Sequence, residues 1–289
     1  MNPAKALASM RTVLPERPRP SSIREVEASW RALFGLAGID APVVVSTGVR
    51  PLLARLFSLL AREGRRLIAP QDVYPAYLQT ASSVGLPITT FATVPAPEFP
   101  RGGSGPEVLL VPEPLVPLGR ALAPAEWSSI SAWLAGDPRR LLVLDCVYTF
   151  ETRFPPLAQT LLGDGRTIVV HSLAKSFLQP DVAGFMLGPR RVLEGLEHDI
   201  GSAQLAAAAH ILSEGPDLPV RLARTFAERW ARLEEHAGCH APATGYFAIV
   251  PSPFEELLAR GWLAVPGSVF GALDSRWCAV TCLLEGEPA

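Results

Sequence analysis

Short runs of consecutive apolar residues recur along the middle of the chain, and segments with helical spacing separate them. These runs are apolar throughout, which is typical of strands buried on both faces of a parallel sheet. Seven strands are predicted, at Val43–Val45, Leu67–Ala69, Ile88–Phe91, Val108–Val111, Leu141–Leu144, Thr167–Val170 and Phe185–Leu187. The pattern predicts an α/β fold, with a mainly parallel seven-stranded sheet and helices on both faces.

The helical segments and the later strand-like runs divide the chain into three parts. Helices are predicted at Ile23–Leu36, Val49–Ala61, Tyr74–Val84, Ala125–Leu134, Arg190–Asp199, Ser202–Leu212 and Val220–His236. Three strand-like runs follow the last helix, which indicates a small α+β domain. We predict a large domain at 41–190, a small domain at 191–289, and an N-terminal arm and helix at 1–40 that belong to the small domain.

Composition and charge argue against several classes of function. The 289 residues carry a net charge of −2 with both signs interspersed, which differs from the basic stripe of a nucleic-acid-binding protein. No apolar run approaches the roughly 20 residues of a membrane span, and we expect no secretory signal. The four cysteines match neither a disulfide framework nor a zinc site. We predict a cytoplasmic protein without a bound metal.

One lysine is unusual among the basic residues. Of 26 basic residues, 24 are arginine, and the two lysines are Lys5 and Lys175, which follows the predicted strand Thr167–Val170. A neutral lysine amine can attack a carbonyl, whereas a guanidinium stays protonated and cannot. The simpler interpretation is a surface lysine that extends its amine into water. The case for chemistry therefore depends on the groups around Lys175.

Six further candidates also follow predicted strands, where open parallel sheets bind their ligands. They are Gly48, Val49, Tyr74, Asp145, Tyr148 and Ser172. The turn at Gly48 and Val49 opens a helix, and its backbone N–H groups suit a phosphate. Asp145 directly follows a buried strand, where a carboxylate is costly unless it has partners.

Together with Lys175, these residues match the requirements of pyridoxal 5'-phosphate. Lys175 would form a Schiff base with the cofactor, and Asp145 would keep the pyridine nitrogen protonated. Tyr148 would reach the phenolic oxygen of the ring, and Tyr74 would stack on the ring. Ser172 and the helix N-terminus at Gly48 would hold the phosphate. Structural interpretations remain open: the tyrosines as packing residues, and Ser172 as a helix cap.

The chain resembles the fold type I pyridoxal-phosphate enzymes, specifically the class I and II aminotransferases, which include histidinol-phosphate aminotransferase. The resemblance runs from about Ser21 to Leu284. It rests on the order and spacing of four segments, Pro70–Tyr77, Leu144–Tyr148, Ser172–Phe177 and Val265–Gly271. It implies an aspartate-aminotransferase-like large domain that binds the cofactor, and a homodimer with the site between two subunits.

The chain also departs from that family. Val116 stands where the family has an asparagine, and Ala279 stands where it has the arginine that binds the substrate carboxylate. The family's phosphate-binding arginine is missing from the segment Pro180–Gly184, which is one residue shorter. The N-terminal segment Arg17–Pro20 lacks the usual Tyr-Pro pair. Arginines that could replace the carboxylate-binding one are Arg50, Arg120, Arg153 and Arg276.

Three functions are compatible with these residues. The first is a biosynthetic pyridoxal-phosphate-dependent aminotransferase that acts on an atypical amine or modified amino acid through Lys175. The second is another reaction on the same cofactor, such as decarboxylation, elimination or cyclisation, because the same electron sink serves all of them. The third is a non-catalytic relative that keeps the fold as a binding or structural protein. The lost arginines favour the third function, whereas the retained Lys175 and Asp145 oppose it.

Overall fold

The computed structural model describes residues 21–73, 75–101, 103, 105–151, 153–237, 242–262, 264–271 and 275–283. Its larger sheet has seven strands: β1 (Val43–Ser46), β2 (Arg66–Pro70), β3 (Ile88–Phe91), β4 (Glu107–Pro112), β5 (Leu141–Asp145), β6 (Thr167–Ser172) and β7 (Gly184–Leu187). Their spatial order is β1-β7-β6-β5-β4-β2-β3. Strand β7 runs antiparallel to β1 and β6, and the other neighbouring pairs are parallel. The predicted mainly parallel seven-stranded sheet is confirmed.

Helices surround this sheet, and a smaller sheet follows near the end of the chain. The helices are α1 (Ile23–Leu33), α2 (Val49–Arg62), α3 (Ala76–Ser83), α4 (Pro124–Ala135), α5 (Pro156–Gly163), α6 (Leu173–Ser176), α7 (Arg190–Leu193), α8 (Ser202–Glu214), α9 (Leu218–Ala237) and α10 (Phe254–Ala259). The smaller sheet contains β8 (Phe247–Val250), β9 (Val265–Pro266) and β10 (Cys278–Thr281) in the antiparallel order β8-β10-β9. Among the described residues, no helix combines the length and apolar character needed to cross a bilayer.

The larger sheet is buried on both faces. In β5, Leu142 and Leu144 belong to one hydrophobic core, whereas Leu141 and Val143 belong to a second core on the opposite face. This division follows from strand geometry, because successive side chains point to opposite faces. A strand with two buried faces must be apolar at every position, which is the pattern seen in the sequence.

Helix α1 is connected to β6 by a buried chain of hydrogen bonds. Trp30 donates its indole N–H to Nδ1 of His171 at 3.1 Å, and its ring stacks on Phe185 at 4.8 Å. His171 Nε2 lies 3.2 Å from Oγ of Ser176, and that hydroxyl donates to the Ser172 carbonyl at 3.3 Å. His171 is fully buried. The chain of contacts therefore fixes the turn after β6 relative to α1.

The predicted helix at Arg190–Asp199 was wrong beyond Leu193, where α7 ends. The following backbone instead pairs with β1: the Asp199 N–H donates to the Val45 carbonyl at 3.0 Å. The Val45 N–H in turn donates to Nδ1 of His198 at 3.1 Å. An edge strand has unpaired backbone N–H and C=O groups. The segment after Leu193 forms hydrogen bonds with these groups of β1 and does not continue as a helix. The division into domains at 1–40, 41–190 and 191–289 stays a prediction.

Replacing His171 with glutamine should change how stability depends on pH. Burial lowers the pKa of His171 to about 3, whereas an unfolded histidine titrates near pH 6.5. Below pH 6.5 the unfolded chain therefore binds a proton that the folded chain does not, and acid destabilises the wild type by about 1.4 kcal/mol per pH unit. Urea unfolding at pH 6.5 and 5 should show an acid loss about 1.6 kcal/mol smaller in the variant. Equal losses in both proteins would contradict this assignment.

Candidate active site

Three strand ends lie side by side at one edge of the large sheet. Gly184, at the start of β7, pairs with Ser46 on one side and with Ser172 on the other. Helix α2 begins three residues after Ser46, and α6 begins directly after Ser172. A Cβ added to Gly184 would lie 2.4 Å from the carbonyl carbon of Gly48. Because no side chain fits there, the turn at Gly48 can lie directly over the start of β7.

Lys175 lies in α6, the short helix that follows β6. Its side chain is partly buried, and Nζ lies 5.7 Å from the centre of the Tyr148 ring. Burial lowers the pKa of the amine, and the positive charge of Arg50 lowers it further, whereas Asp145 raises it. A lower pKa increases the fraction of neutral amine, which is the nucleophilic form.

Asp145 ends β5 and is almost completely buried, with 4% of its surface exposed. Tyr77 donates its hydroxyl to Oδ2 at 2.5 Å, and the Val147 N–H donates to Oδ1 at 3.1 Å. Burial raises the pKa of the carboxyl to about 6, although both hydrogen bonds and the charge of Lys175 lower it. At pH 7 the group is therefore mostly a carboxylate.

Tyr148 connects the large sheet to the smaller one. Its ring centre lies 5.5 Å from that of Tyr246, which directly precedes β8, with an angle of 60° between the rings. Burial raises the pKa of Tyr148 to about 12, although a hydrogen bond with Tyr246 lowers it. The Tyr148 phenol therefore keeps its proton at pH 7 and can donate it in a hydrogen bond.

The small sheet also reaches the loop after β2. The 3-10 helix Gly267–Phe270 ends at Gly271, whose φ is +70°, and a Cβ at Gly271 would lie 2.2 Å from the Gln71 carbonyl oxygen. Ala279 lies in the central strand β10, pairs with Val265 and Ile249, and is 2% exposed. The position where the resemblance expects an arginine is therefore a small residue buried inside a sheet.

Comparison with known proteins identifies the family of the chain. The model of the family described as Aminotransferase class I and II matches residues 25–276. The chain belongs to this family. The predicted resemblance to class I and II aminotransferases is thereby confirmed.

Two curated proteins are similar to the chain. Histidinol-phosphate aminotransferase 1 of Bordetella parapertussis is 29% identical over 173 residues, which are 57% of this chain and 48% of that protein. The match thus spans about half the length of that relative. Threonine-phosphate decarboxylase of a Sinorhizobium species is 27% identical over 256 residues, which are 85% of this chain and 72% of that protein.

Solved structures of aminotransferases share the fold. Aspartate aminotransferase from Rhizobium meliloti superposes with a TM-score of 0.76 at 16% identity, covering 98% of this chain and 82% of that chain. N-Succinyldiaminopimelate aminotransferase from Mycobacterium tuberculosis gives a TM-score of 0.74 at 22% identity, covering 97% and 84%. At these identities the likeness concerns the fold alone.

Most of the predicted residues of this aminotransferase-family chain lie at one edge of the sheet. The turn at Gly48 and Val49 follows β1, and Ser172 and the Lys175 helix lie at the end of β6, with the start of β7 between them. Asp145 ends β5, the strand next to β6. Ser172 is buried and precedes α6, but its side chain makes no capping hydrogen bond there. Ser172 thus occupies the N-cap position of α6, but its hydroxyl does not act as the cap.

One important contact was not assigned from the sequence. Tyr74 lies outside the described residues, whereas Tyr77, three residues later, donates to Asp145. Tyr77 lies in the first turn of α3, and a tyrosine there has an ordinary structural interpretation as a core residue. The spacing of Pro70–Tyr77 indicated that the segment mattered, but the direction of each hydroxyl depends on how α3 packs.

Replacing Tyr77 with phenylalanine should destabilise the chain more at pH 8 than at pH 5. The change removes a donor from a buried carboxylate, and a hydrogen bond to a charged group contributes about 1.5–3 kcal/mol. The pKa of Asp145 should rise further, so the loss is largest where the group is ionised and becomes smaller below pH 6. Urea unfolding at both pH values measures this difference.

Tyr148→Phe is the matched control, because it also removes one phenol hydroxyl, but that hydroxyl is bonded to Tyr246. Its unfolding free energy should fall by a similar amount at pH 5 and pH 8. A Tyr77→Phe loss that does not depend on pH would refute the role of Tyr77 as the donor to Asp145.

Proposed function

We propose that this chain is a pyridoxal-phosphate-dependent aminotransferase that acts on an atypical amine or modified amino acid. The observation that carries the proposal is the position of Lys175: a partly buried amine near Tyr148 whose pKa responds to the buried carboxylate of Asp145. Membership of the class I and II aminotransferase family supports the same activity.

The residues present fit pyridoxal phosphate. The cofactor needs an amine for its aldehyde, a carboxylate for its pyridine nitrogen, phenol donors for its ring oxygen, and N–H groups for its phosphate. Lys175, Asp145 and Tyr148 match the first three needs, and the N-terminus of α2 matches the fourth. The close approach of Gly48 to Gly184 keeps side chains out of the turn that would face the phosphate.

Each residue would have a distinct task. Lys175 would hold the cofactor through its aldehyde, for which the neutral amine is the reactive form. Asp145 would hold a proton at the pyridine nitrogen, and the bound cofactor would supply an electron sink for bonds at the substrate carbon. Tyr77 would keep Asp145 ionised and in position. Lys175 is also the group that would move a proton at the substrate carbon.

The proposed substrate class follows from the small residue Ala279 in β10. The resemblance places a carboxylate-binding arginine at position 279, where Ala279 lies buried between two strands. A substrate whose α-carboxylate needed a cation there would remain unpaired, which disfavours its binding. We therefore propose an amine without a carboxylate at that point, or an amino acid whose carboxylate is modified.

A second candidate is decarboxylation on the same cofactor. It is favoured by the likeness to a threonine-phosphate decarboxylase, which extends over 85% of this chain. The same lysine and aspartate serve both reactions, because the electron sink does not depend on which bond is broken. A homodimer and a cytoplasmic location also stay predictions.

A lysine exchange provides the decisive experiment. Wild-type protein mixed with pyridoxal phosphate should develop an absorbance band that borohydride removes, and mass spectrometry should then find the cofactor on Lys175. Lys175→Arg should abolish the band, because guanidinium cannot form the bond. Lys5→Arg is the matched control and should keep the band. Binding of the cofactor without an absorbance band that depends on Lys175 would contradict the proposal.

The reaction type is then decided with candidate amines in a single turnover. Transamination converts the bound cofactor into its amine form, which persists until a carbonyl acceptor is added. Decarboxylation releases carbon dioxide and returns the lysine-linked cofactor. We expect the first outcome, and carbon dioxide release in its place would support the second candidate.

A further inference from the structure

We propose that the Arg50 guanidinium binds the phosphate of the cofactor and replaces the arginine missing after Lys175. The inference rests on the proposed function, since it assigns a residue to the phosphate end of the same site. Arg50 lies in the first turn of α2 and is exposed to solvent. Arg50 is one of the four arginines that could replace the carboxylate-binding one. Its position at the start of α2 favours binding to the cofactor phosphate instead.

Strand register brings Arg50 to the correct edge of the sheet. Ser46 and Ser172 flank Gly184 in adjacent strands, so the starts of α2 and α6 are about two strand spacings apart, roughly 10 Å. The backbone of Gly48 closes over Gly184 between them. A phosphate seated on the α2 turn therefore lies between Arg50 and the Ser172 end of β6.

The first turn of α2 is short of backbone donors. A helix N-terminus normally presents several N–H groups to an anion. In α2 the third position is Pro51, which has no N–H. A guanidinium offers several donors in a planar fork that matches phosphate oxygens. Arg50, one residue before Pro51, is placed to supply both the donors and the charge.

Arg55, on the next turn of α2, donates to Asp199, the Glu197 carbonyl and Ser46.

Arg120 and Arg153, which could also replace the carboxylate-binding arginine, have other neighbours. Arg120 forms two hydrogen bonds with Glu126, at 2.7 and 2.8 Å. Arg153 faces a groove of about 690 Å³ beside Gln159 and Asp217, and no predicted site residue lines that groove.

The segment that would carry the missing arginine offers no cation. From Ser176 to Gly184 the charged residue is Asp181, which is exposed and negative. The Lys175 amine also lies at this edge, but it would become part of the covalent linkage. The positive charge of Arg50 acts on Lys175 in the structure, so the same charge is within electrostatic range of a phosphate between them.

The test compares two aldehydes that differ only in the phosphate. Pyridoxal phosphate and pyridoxal are titrated into wild type, Arg50→Gln, Arg50→Lys and Arg62→Gln, with the dissociation constant read from the lysine-dependent absorbance band. Arg62 is the matched control, because it is an exposed arginine at the opposite end of α2. Thermal melting confirms that each variant is folded.

Arg50→Gln should weaken pyridoxal phosphate binding about 10-fold and change pyridoxal binding by less than about 2-fold. The estimate is at the low end for a charge-assisted pair because Arg50 is exposed. Arg50→Lys should recover part of the loss, and Arg62→Gln should bind both aldehydes as the wild type does.

Several outcomes would overturn the assignment. Unchanged binding of pyridoxal phosphate by Arg50→Gln, with a raised KM for the amine, would assign Arg50 to the substrate. Equal losses for both aldehydes would make its role structural. A wild type without a band for either aldehyde would overturn the proposed function itself, and this inference with it.

Discussion

The arrangement at the sheet edge depends on keeping one carboxylate charged where water is excluded. Asp145 ends a strand whose residues are buried on both faces, so desolvation favours its neutral form. Three groups oppose that tendency: the Tyr77 hydroxyl, the Val147 N–H and the charge of Lys175. Each comes from a different part of the chain. The carboxylate therefore depends on the correct packing of α3, the turn after β5 and α6 at the same time.

Much of the fold could be predicted, because strands buried on two faces must be apolar at every position. The seven apolar runs located the sheet, and the polar residues that end them located the edge where we propose that the cofactor binds. The same logic could not find Tyr77, since its contact with Asp145 joins positions 68 residues apart through the packing of α3. Nor could it bring Arg50 within electrostatic range of Lys175, because that proximity depends on β1 and β6 flanking β7 in the sheet.

The chain has three of the groups that the resemblance assigns to the cofactor ring, and it lacks the arginines that the resemblance assigns to anions. Lys175, Asp145 and Tyr148 lie near one another, whereas Ala279 stands where the resemblance expects the carboxylate-binding arginine. This contrast separates two requirements. The chemistry at the ring tolerates little variation because the electron sink needs a specific proton. Anion contacts can be exchanged, since a guanidinium on a neighbouring turn can reach the same oxygens.

The connection from α6 to β7 limits where the chain can accommodate a change of length. Strand β7 cannot do so, because a slip by one position would turn Phe185 from the aromatic cluster around Trp30 to the other face. A change of length must therefore fall before Gly184, where Leu178 and Asp181 adopt φ values of +52° and +58°. Aspartate tolerates this conformation, whereas leucine resists it. The backbone strain of the loop is thus concentrated at Leu178, where a glycine or asparagine would relieve it.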